Sequence, residues 1–467
     1  MTVAGEVTAF SPLRVWLEQF GPTETVWTDG ARRWAAADLR GQLARTDAAA
    51  ARLRDGVVAL AVRAGPTLAR LLLSLDGRAP GVLLVPPDAP AELCTAFLRA
   101  TGAQVGITDG ALPAGVAGTW VSAATVLESP ARRLASPALP DRETRVILPT
   151  SGTTGTPKLV CHTWATLART VRPPAEGAPR CWGLLYALTR FAGLQVWLQA
   201  LASRATLVFT DHLPDLEARL SLLTAAGCEA LSATPTLWRK ILMSPLGRRL
   251  PLRQVTLGGE IADDLVLGAL ARTYPQARIT HIYASTEAGV GFSVKDGRAG
   301  FPAEFLTTPP AGVELKVDAA GRLWLRPEVR GQFLVGGVRL EDAEGWIDTG
   351  DLVERRGDRF HFLGRASGAI NVGGDKVYPE EVERVILDLP EIALVRVAGR
   401  RNPIVGALVE AVVVPREPVG DPVALARRVR EHCAARLPRF KVPAVVQVVD
   451  ALEVEGTGKL VRRPAGG

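Results

Sequence analysis

Leu148-Pro149-Thr150-Ser151-Gly152-Thr153-Thr154-Gly155-Thr156-Pro157-Lys158 is the stretch on which the reading of this chain turns. Four hydroxyl side chains and two glycines fall in the six residues Thr150–Gly155, directly after the apolar Val146-Ile147-Leu148. Glycine lets a backbone come close to a polyanion, while N–H and hydroxyl donors wrap its oxygens. The G-x-x-x-x-G-K-[ST] spacing of a Walker loop is absent, both here and at Gly456–Lys459. A flexible Ser/Thr/Gly linker has a similar composition, but the apolar run before the stretch and Pro157-Lys158 after it argue against one.

On both sides of this stretch the chain alternates between short apolar runs and helical patterns. Val57–Val62, Gly81–Val85 and Gln104–Thr108 read as buried strands, separated by helical spacing over Thr67–Leu75 and Ala89–Thr101. The alternation recurs over Thr206–Phe209, Ala230–Ser232, Gln254–Leu257 and Arg278–Tyr283, each followed or preceded by a helix. Such alternation implies parallel sheet with crossover helices, a doubly wound α/β architecture. Around Gly312–Val335 the pattern changes to short Gly-punctuated strands, predicting a small β-barrel or meander. After Gly364 the chain starts again: a Gly-rich segment, a helix from Pro379, strands at Ala393–Ala398 and Ala407–Val414, and a helix over Pro422–Leu437. The expected organisation is a large α/β portion over 1–365 and a smaller α+β domain over 366–467.

Composition narrows the functional classes. The chain has 467 residues, of which 47% are hydrophobic and 22% charged, as in a globular protein. Its 55 Lys and Arg outnumber 48 Asp and Glu for a formal charge of +7, without a basic run, so a nucleic-acid footprint is not expected. Five widely spaced cysteines form no C-x-x-C, and five histidines show no metal-binding spacing. No apolar run reaches the ~18–20 residues of a membrane span, and Glu6 interrupts the N-terminus where a signal peptide would be apolar. A reducing cytoplasm is the expected setting.

The signature stretch resembles that of the adenylate-forming superfamily, which comprises acyl-CoA synthetases, luciferases and the adenylation domains of peptide synthetases. Further landmarks follow in the family's order. Val58–Thr108 is similar to its N-terminal α/β segment. Then come Ser232-Ala233-Thr234-Pro235-Thr236-Leu237-Trp238, Leu257-Gly258-Gly259-Glu260, Tyr283-Ala284-Ser285-Thr286-Glu287, Trp346-Ile347-Asp348-Thr349-Gly350-Asp351, Gly364-Arg365, Gly373-Gly374 through Glu383, and Gly458-Lys459. The resemblance covers nearly the whole chain.

What it implies is ATP- and Mg²⁺-dependent conversion of a carboxylic acid to an acyl-adenylate with release of pyrophosphate, followed by thioester formation with CoA. Thr150, Ser151, Gly152, Thr153, Thr154, Gly155 and Lys158 would embrace the ATP phosphates. Tyr283 would offer an aromatic face to adenine, with the backbone at Gly259-Glu260 and Ala284 beside the base. Thr286 would meet the α-phosphate, and Glu287 would give Mg²⁺ a hard oxygen. Asp351 would accept the ribose hydroxyls, with Arg365 donating to the ribose. Only seven of the 55 basic residues are lysine, which makes Lys459 after Gly458 conspicuous; the resemblance makes it the catalytic cation bridging carboxylate and α-phosphate.

By the same resemblance the C-terminal domain swings about a hinge and presents the Gly373-Gly374 loop to a thiol tunnel. Here the sequence departs from the family: Ser367 replaces the hinge Asp or Lys, Asn371 stands where many members have Lys, and Glu453-Val454-Glu455 replaces Pro-Arg-Thr. The acid pocket aligns with Leu188–Leu194, and Arg190, Phe191, Gly193, Ser232, Gly258 and Ala284 are its expected walls. Amino-acid-activating members carry an Asp in that window; none occurs here, so α-amino acids are not expected substrates. Competing readings are transfer to the phosphopantetheine of an acyl carrier protein, transfer to an amine or other nucleophile, and a catalytically weak nucleotide-binding protein.

Overall fold

The computed structural model describes residues 12–50, 53, 55–110, 112, 115–128, 143–150, 158–173, 175–310, 312–328, 333–334, 339–402 and 406–452. Two large sheets carry most of the N-terminal portion. In the first, the strands Val57–Ala61, Gly81–Leu84, Val105–Thr108, Thr119–Ser122 and Arg145–Pro149 run parallel, and Leu159–His162 turns back antiparallel beside Arg145–Pro149. In the second, Thr25–Thr28, Thr206–Phe209, Cys181–Leu184, Ala230–Ala233, Gln254–Gly258 and Arg278–Ser285 are parallel neighbours in that order. Antiparallel Gly289–Val294 and Arg33–Ala35 flank its two edges. The expected doubly wound α/β architecture is therefore present.

Two helices are buried between the sheets. Gly65–Leu75 begins with Pro66 in its first turn, where a missing N–H costs nothing, and nine of its eleven residues are buried. Phe191–Ala202 likewise buries nine of twelve. A helix apolar on nearly every side is stable only with partners all round. The core accordingly runs from Leu60, Val82 and Leu148 of one sheet, through Leu72 and Trp197, to Leu184 and Phe209 of the other. The outer face of the second sheet packs through Leu231, Val255 and Leu257 on the helices Pro235–Met243 and Asp264–Thr273. Thr234 and Asp263 cap those helices, accepting from the backbone N–H of Leu237 (3.1 Å) and Val266 (2.9 Å).

The region predicted as a small barrel or meander is a five-stranded antiparallel sheet, from Phe301–Pro302 through Arg359–Arg365, Ile347–Arg356 and Arg322–Pro327 to Val313–Val317. The smaller C-terminal domain has its own core: the helices Pro379–Leu387 and Pro422–Ala434 bury Val382, Ile386, Leu425 and Val429 against the paired strands Ile392–Asn402 and Gly406–Pro415. Among the described residues no helix is long and apolar enough to cross a membrane.

Gly193 shows how tightly the inner layer is built. A Cβ there would lie 2.2 Å from the Ala187 carbonyl oxygen, which no backbone contact tolerates. The helix therefore lies directly on the turn preceding it. Gly193→Ala is expected to destabilise the protein by about 1–3 kcal/mol through forced backbone displacement, visible as a lower urea midpoint.

Candidate functional site

The hydroxyl-rich loop closes a β-hairpin. Pro149 pairs with Leu159, and Thr150 N–H donates to the Lys158 carbonyl at 2.8 Å, so Thr150 and Lys158 are its two posts. Ser151, Gly152, Thr153, Thr154 and Gly155 lie outside the described residues, as do Gly458 and Lys459. Thr150 is buried, and its Oγ1 has no partner among the described residues.

Across from this hairpin, Arg278–Ser285 turns tightly into Gly289–Val294, with Ser285 paired to Gly289. Gly289 has φ +71°, the left-handed conformation that such a turn requires. Three bonds fix the turn. Ser285 Oγ accepts from Ala288 N–H at 3.0 Å, Arg169 donates to the Ala288 carbonyl at 3.3 Å, and His162 Nε2 donates to the Thr286 carbonyl at 2.8 Å. Thr286 and Glu287 ride on this turn.

Between hairpin and turn lies a cavity of about 1430 Å³. It brings together Thr150, Arg190, Phe191, Ser232, Gly258, Gly259, Ala284 and Thr286 of the residues predicted from sequence. Arg190 precedes the helix Phe191–Ala202 and is half-buried on the cavity wall. Gly193 is not on that wall: it faces the Ala187–Leu188 backbone, so its place in the acid pocket gives way to a packing role.

The cavity floor is more polar than a parallel sheet's inner face usually is. Ser232, Thr256 and Thr280 stand in one cross-strand row, each directly beside the next. Thr256 Oγ1 accepts from Gln254 Nε2 at 2.9 Å, and Gln254 Oε1 accepts from Arg278 Nε at 2.7 Å. Tyr186, also on the wall, is bonded to Ser232, and burial pushes its phenol well above the usual range, so it stays protonated. Sequence reasoning did not single out Tyr186, Thr256 or Thr280; the alternation of Thr with apolar residues in Gln254–Gly258 and Arg278–Ser285 was the available signal.

Tyr283 has Phe292 (ring centroids 5.2 Å apart) and Phe362 (5.0 Å) stacked nearly parallel to it. The ring packs on the aromatic core of the five-stranded sheet and stays partly exposed. Its hydroxyl donates to Asp351 Oδ2, and Arg365 Nε donates to Asp351 Oδ1 at 3.2 Å. Tyr283, Asp351 and Arg365 therefore form one cluster, in which the carboxylate accepts from both neighbours. Glu260 accepts from Thr236 N–H at 3.0 Å and so holds the start of the helix Pro235–Met243.

Gly373 and Gly374, at φ +60° and +100°, form the turn between Ile370–Val372 and Asp375–Val377, with open space at both Cβ positions. Ser367 is exposed in the short 3-10 turn Ala366–Gly368. Among the described residues no three His, Cys, Asp or Glu side chains converge as a metal cage. A divalent cation here would be held by Glu287 together with ligand phosphate oxygens, which is how Mg²⁺ is commonly bound.

The His162 imidazole is fully buried, and desolvation pushes its pKa down to about 4 from 6.5. The unfolded chain binds that proton near pH 6.5 and the native one only near pH 4. Stability is therefore whole above pH 6.5 and declines as pH falls from 6.5 towards 4, by about 3 kcal/mol at most. A His162→Phe variant is expected to lose this part of the acid-side slope in urea-midpoint measurements between pH 7 and 4.

Comparison with known proteins places the chain among nucleotide-dependent enzymes. The family model described as AMP-binding enzyme matches residues 47–340, and the AMP-binding enzyme C-terminal domain model matches residues 381–459. A 2-succinylbenzoate–CoA ligase of Geobacillus kaustophilus is 29% identical over 350 residues, covering 69% of this chain and 68% of the relative. A p-hydroxybenzoic acid–AMP ligase of Mycobacterium marinum is 27% identical over 93% of this chain and 64% of its own length. In structure, the Bacillus subtilis o-succinylbenzoate CoA synthetase, solved with its acyl-adenylate intermediate, superposes with a TM-score of 0.74 at 19% identity over 97% of each chain.

Proposed function

The chain belongs to the AMP-binding enzyme family, and we propose that it activates a carboxylic acid with ATP, releasing pyrophosphate, and passes the acyl group of the resulting acyl-adenylate to CoA. The observation that carries this reading is the convergence of Thr150 from one sheet and Thr286 from the other on a single cavity.

The buried Thr150 hydroxyl supports a phosphate beside it. An unpaired buried hydroxyl costs about 1–3 kcal/mol, and a phosphate oxygen would accept its proton. Thr286 would donate to the α-phosphate and Glu287 would hold Mg²⁺, whose chemistry is to neutralise the departing pyrophosphate. Asp351, oriented by Tyr283 and Arg365, would exchange one of those partners for a ribose hydroxyl. The attacking carboxylate is ionised near pH 7 and needs no general base. Lys459 would offset the charge gathering between carboxylate and α-phosphate. The division at 365/366, with Ser367 at the hinge and Gly373-Gly374 carried to the thiol, supplies the second half-reaction.

The acid is not an α-amino acid, because the Leu188–Leu194 window lacks a carboxylate to pair with its ammonium. Arg190 on the wall and the hydroxyl row Ser232–Thr256–Thr280 on the floor fit an acid bearing a further oxygen function, an anionic one at Arg190.

Pyrophosphate release across a panel of carboxylic acids, with and without CoA, tests the reading. Release is expected to require an acid, to rise with CoA, and to fall by at least 100-fold in Lys459→Ala. Release indifferent to CoA would transfer the second step to a carrier-protein thiol or an amine, and amino-acid-dependent exchange would refute the assignment of substrate. Arg190→Ala is expected to remove discrimination between diacids and matched monoacids, about 10-fold or more in kcat/KM; unchanged selectivity would place Arg190 outside recognition.

A further inference from the structure

His162 lies at the end of Leu159–His162, the strand that leaves the hydroxyl-rich loop. Its side chain is 0% exposed, and both ring nitrogens are engaged. Nε2 is 2.8 Å from the Thr286 carbonyl oxygen. A carbonyl only accepts, so Nε2 carries the proton, which leaves Nδ1 as an acceptor 3.1 Å from the Thr166 hydroxyl. Thr166 is itself fixed by a reciprocal cap with Thr163, so the ring is held from behind. One face of the imidazole meets Phe191, with ring centroids 5.8 Å apart.

A side chain on the strand leaving the loop thus touches two residues that line the cavity: Phe191 on its wall and Thr286 on the turn that also carries Glu287. Other bonds act on that turn at Ala288. The only side-chain bond to Thr286 among those in the described residues comes from His162. A buried imidazole could instead be a core filler, but filling space does not require a donor aimed at one carbonyl.

We propose that His162 is a positioning residue for the adenylation step, its Nε2–H fixing the Thr286 carbonyl so that the Thr286 hydroxyl and Glu287 carboxylate keep their places relative to the hydroxyl-rich loop. This rests on the functional reading above, since it assigns Thr286 and Glu287 to nucleotide and Mg²⁺. It locates the consequence on the nucleotide side: the Phe191 contact belongs to the acid side and is a matter of ring shape alone.

Three substitutions separate bond from shape. Gln places its amide nitrogen where Nε2 stands and keeps a donor. Asn reaches only as far as Nδ1 and loses it. Phe keeps the ring against Phe191 without a donor. His162→Phe and His162→Asn are expected to lower kcat/KM for MgATP by about 5- to 150-fold, the range for leaving a buried carbonyl unpaired, and to raise the Mg²⁺ concentration needed for half-maximal rate. KM for the acid should change less than about twofold in His162→Phe, and His162→Gln should recover most of the loss.

Amide hydrogen exchange over Ser285–Gly289 should accelerate in Phe and Asn and not in Gln, a readout that needs no turnover. If His162→Phe matches the wild type in MgATP kinetics and exchange, or if Gln is as impaired as Phe, the residue is packing and the proposal fails. Should Phe not fold, the comparison of Gln with Asn decides alone. Wild-type protein silent across the acid panel, yet showing the exchange difference, would sink the proposed activity and leave the tether standing.

Discussion

Everything at the site depends on two parallel sheets being held a helix apart. The helices Gly65–Leu75 and Phe191–Ala202 are apolar around most of their circumference and are stable only because each is covered on both sides. Their shared core fixes where the carboxyl ends of Arg145–Pro149, Gln254–Gly258 and Arg278–Ser285 stand relative to one another. Loops at the carboxyl ends of parallel strands are where such sheets build ligand sites. Here two sheets bring theirs to one space, and the cavity between Thr150 and Thr286 is a direct result of inter-sheet packing.

That arrangement creates a precision problem that the core alone does not solve. The Thr150 and Thr286 loops belong to different sheets, so small shifts between the sheets would change their separation. Direct ties across the gap act against this: the His162 bond to the Thr286 carbonyl, and Arg169, which follows Leu159–His162 in the chain and donates to Ala288. His162 is fully buried and Arg169 partly so, which makes each bond worth more than a surface contact. The same burial depresses the His162 pKa and keeps the ring in the neutral form that donates from one nitrogen and accepts at the other. Structure and protonation state support each other.

The architecture was legible in the sequence because parallel strands buried on both faces read as short apolar runs, and Val57–Ala61, Gly81–Leu84 and Thr206–Phe209 do so plainly. Arg278–Ser285 runs past its apolar part because Ala284 and Ser285 pair with the returning strand, and such pairing has no compositional mark. The cavity walls at Arg190, Phe191, Ser232, Gly258 and Ala284 were also accessible, being tied to motifs. The surroundings of Tyr283 were not legible for a physical reason: the rings stacked on it, Phe292 and Phe362, are brought in by two other strands. Gly193 was misjudged because a glycine demanded by a backbone contact is indistinguishable in sequence from one opening space for a ligand. His162 went unmarked because its significance lies wholly in a partner distant in the chain.

The junction between the two domains follows a different physical rule from the core. Leu452, the last described residue, accepts from Lys240 Nζ at 3.5 Å, and a Cβ on Gly364 would meet Glu380 Oε2 at 2.4 Å. A cavity of about 530 Å³ separates the parts, lined by acidic and basic side chains such as Glu260, Asp264, Arg356, Glu380 and Arg384. Apolar side chains such as Ile261, Leu265, Leu363 and Leu394 line it as well; the charged contacts among them are ones that water replaces at little cost. Arg365, one residue before the Ala366–Gly368 turn, is bonded to Asp351 of the larger part, so the chain is anchored immediately before that turn. A rotation of the smaller domain would then leave the Tyr283–Asp351–Arg365 cluster in place. That is what a site needs if one domain binds the nucleotide while the other exchanges a lysine for a thiol.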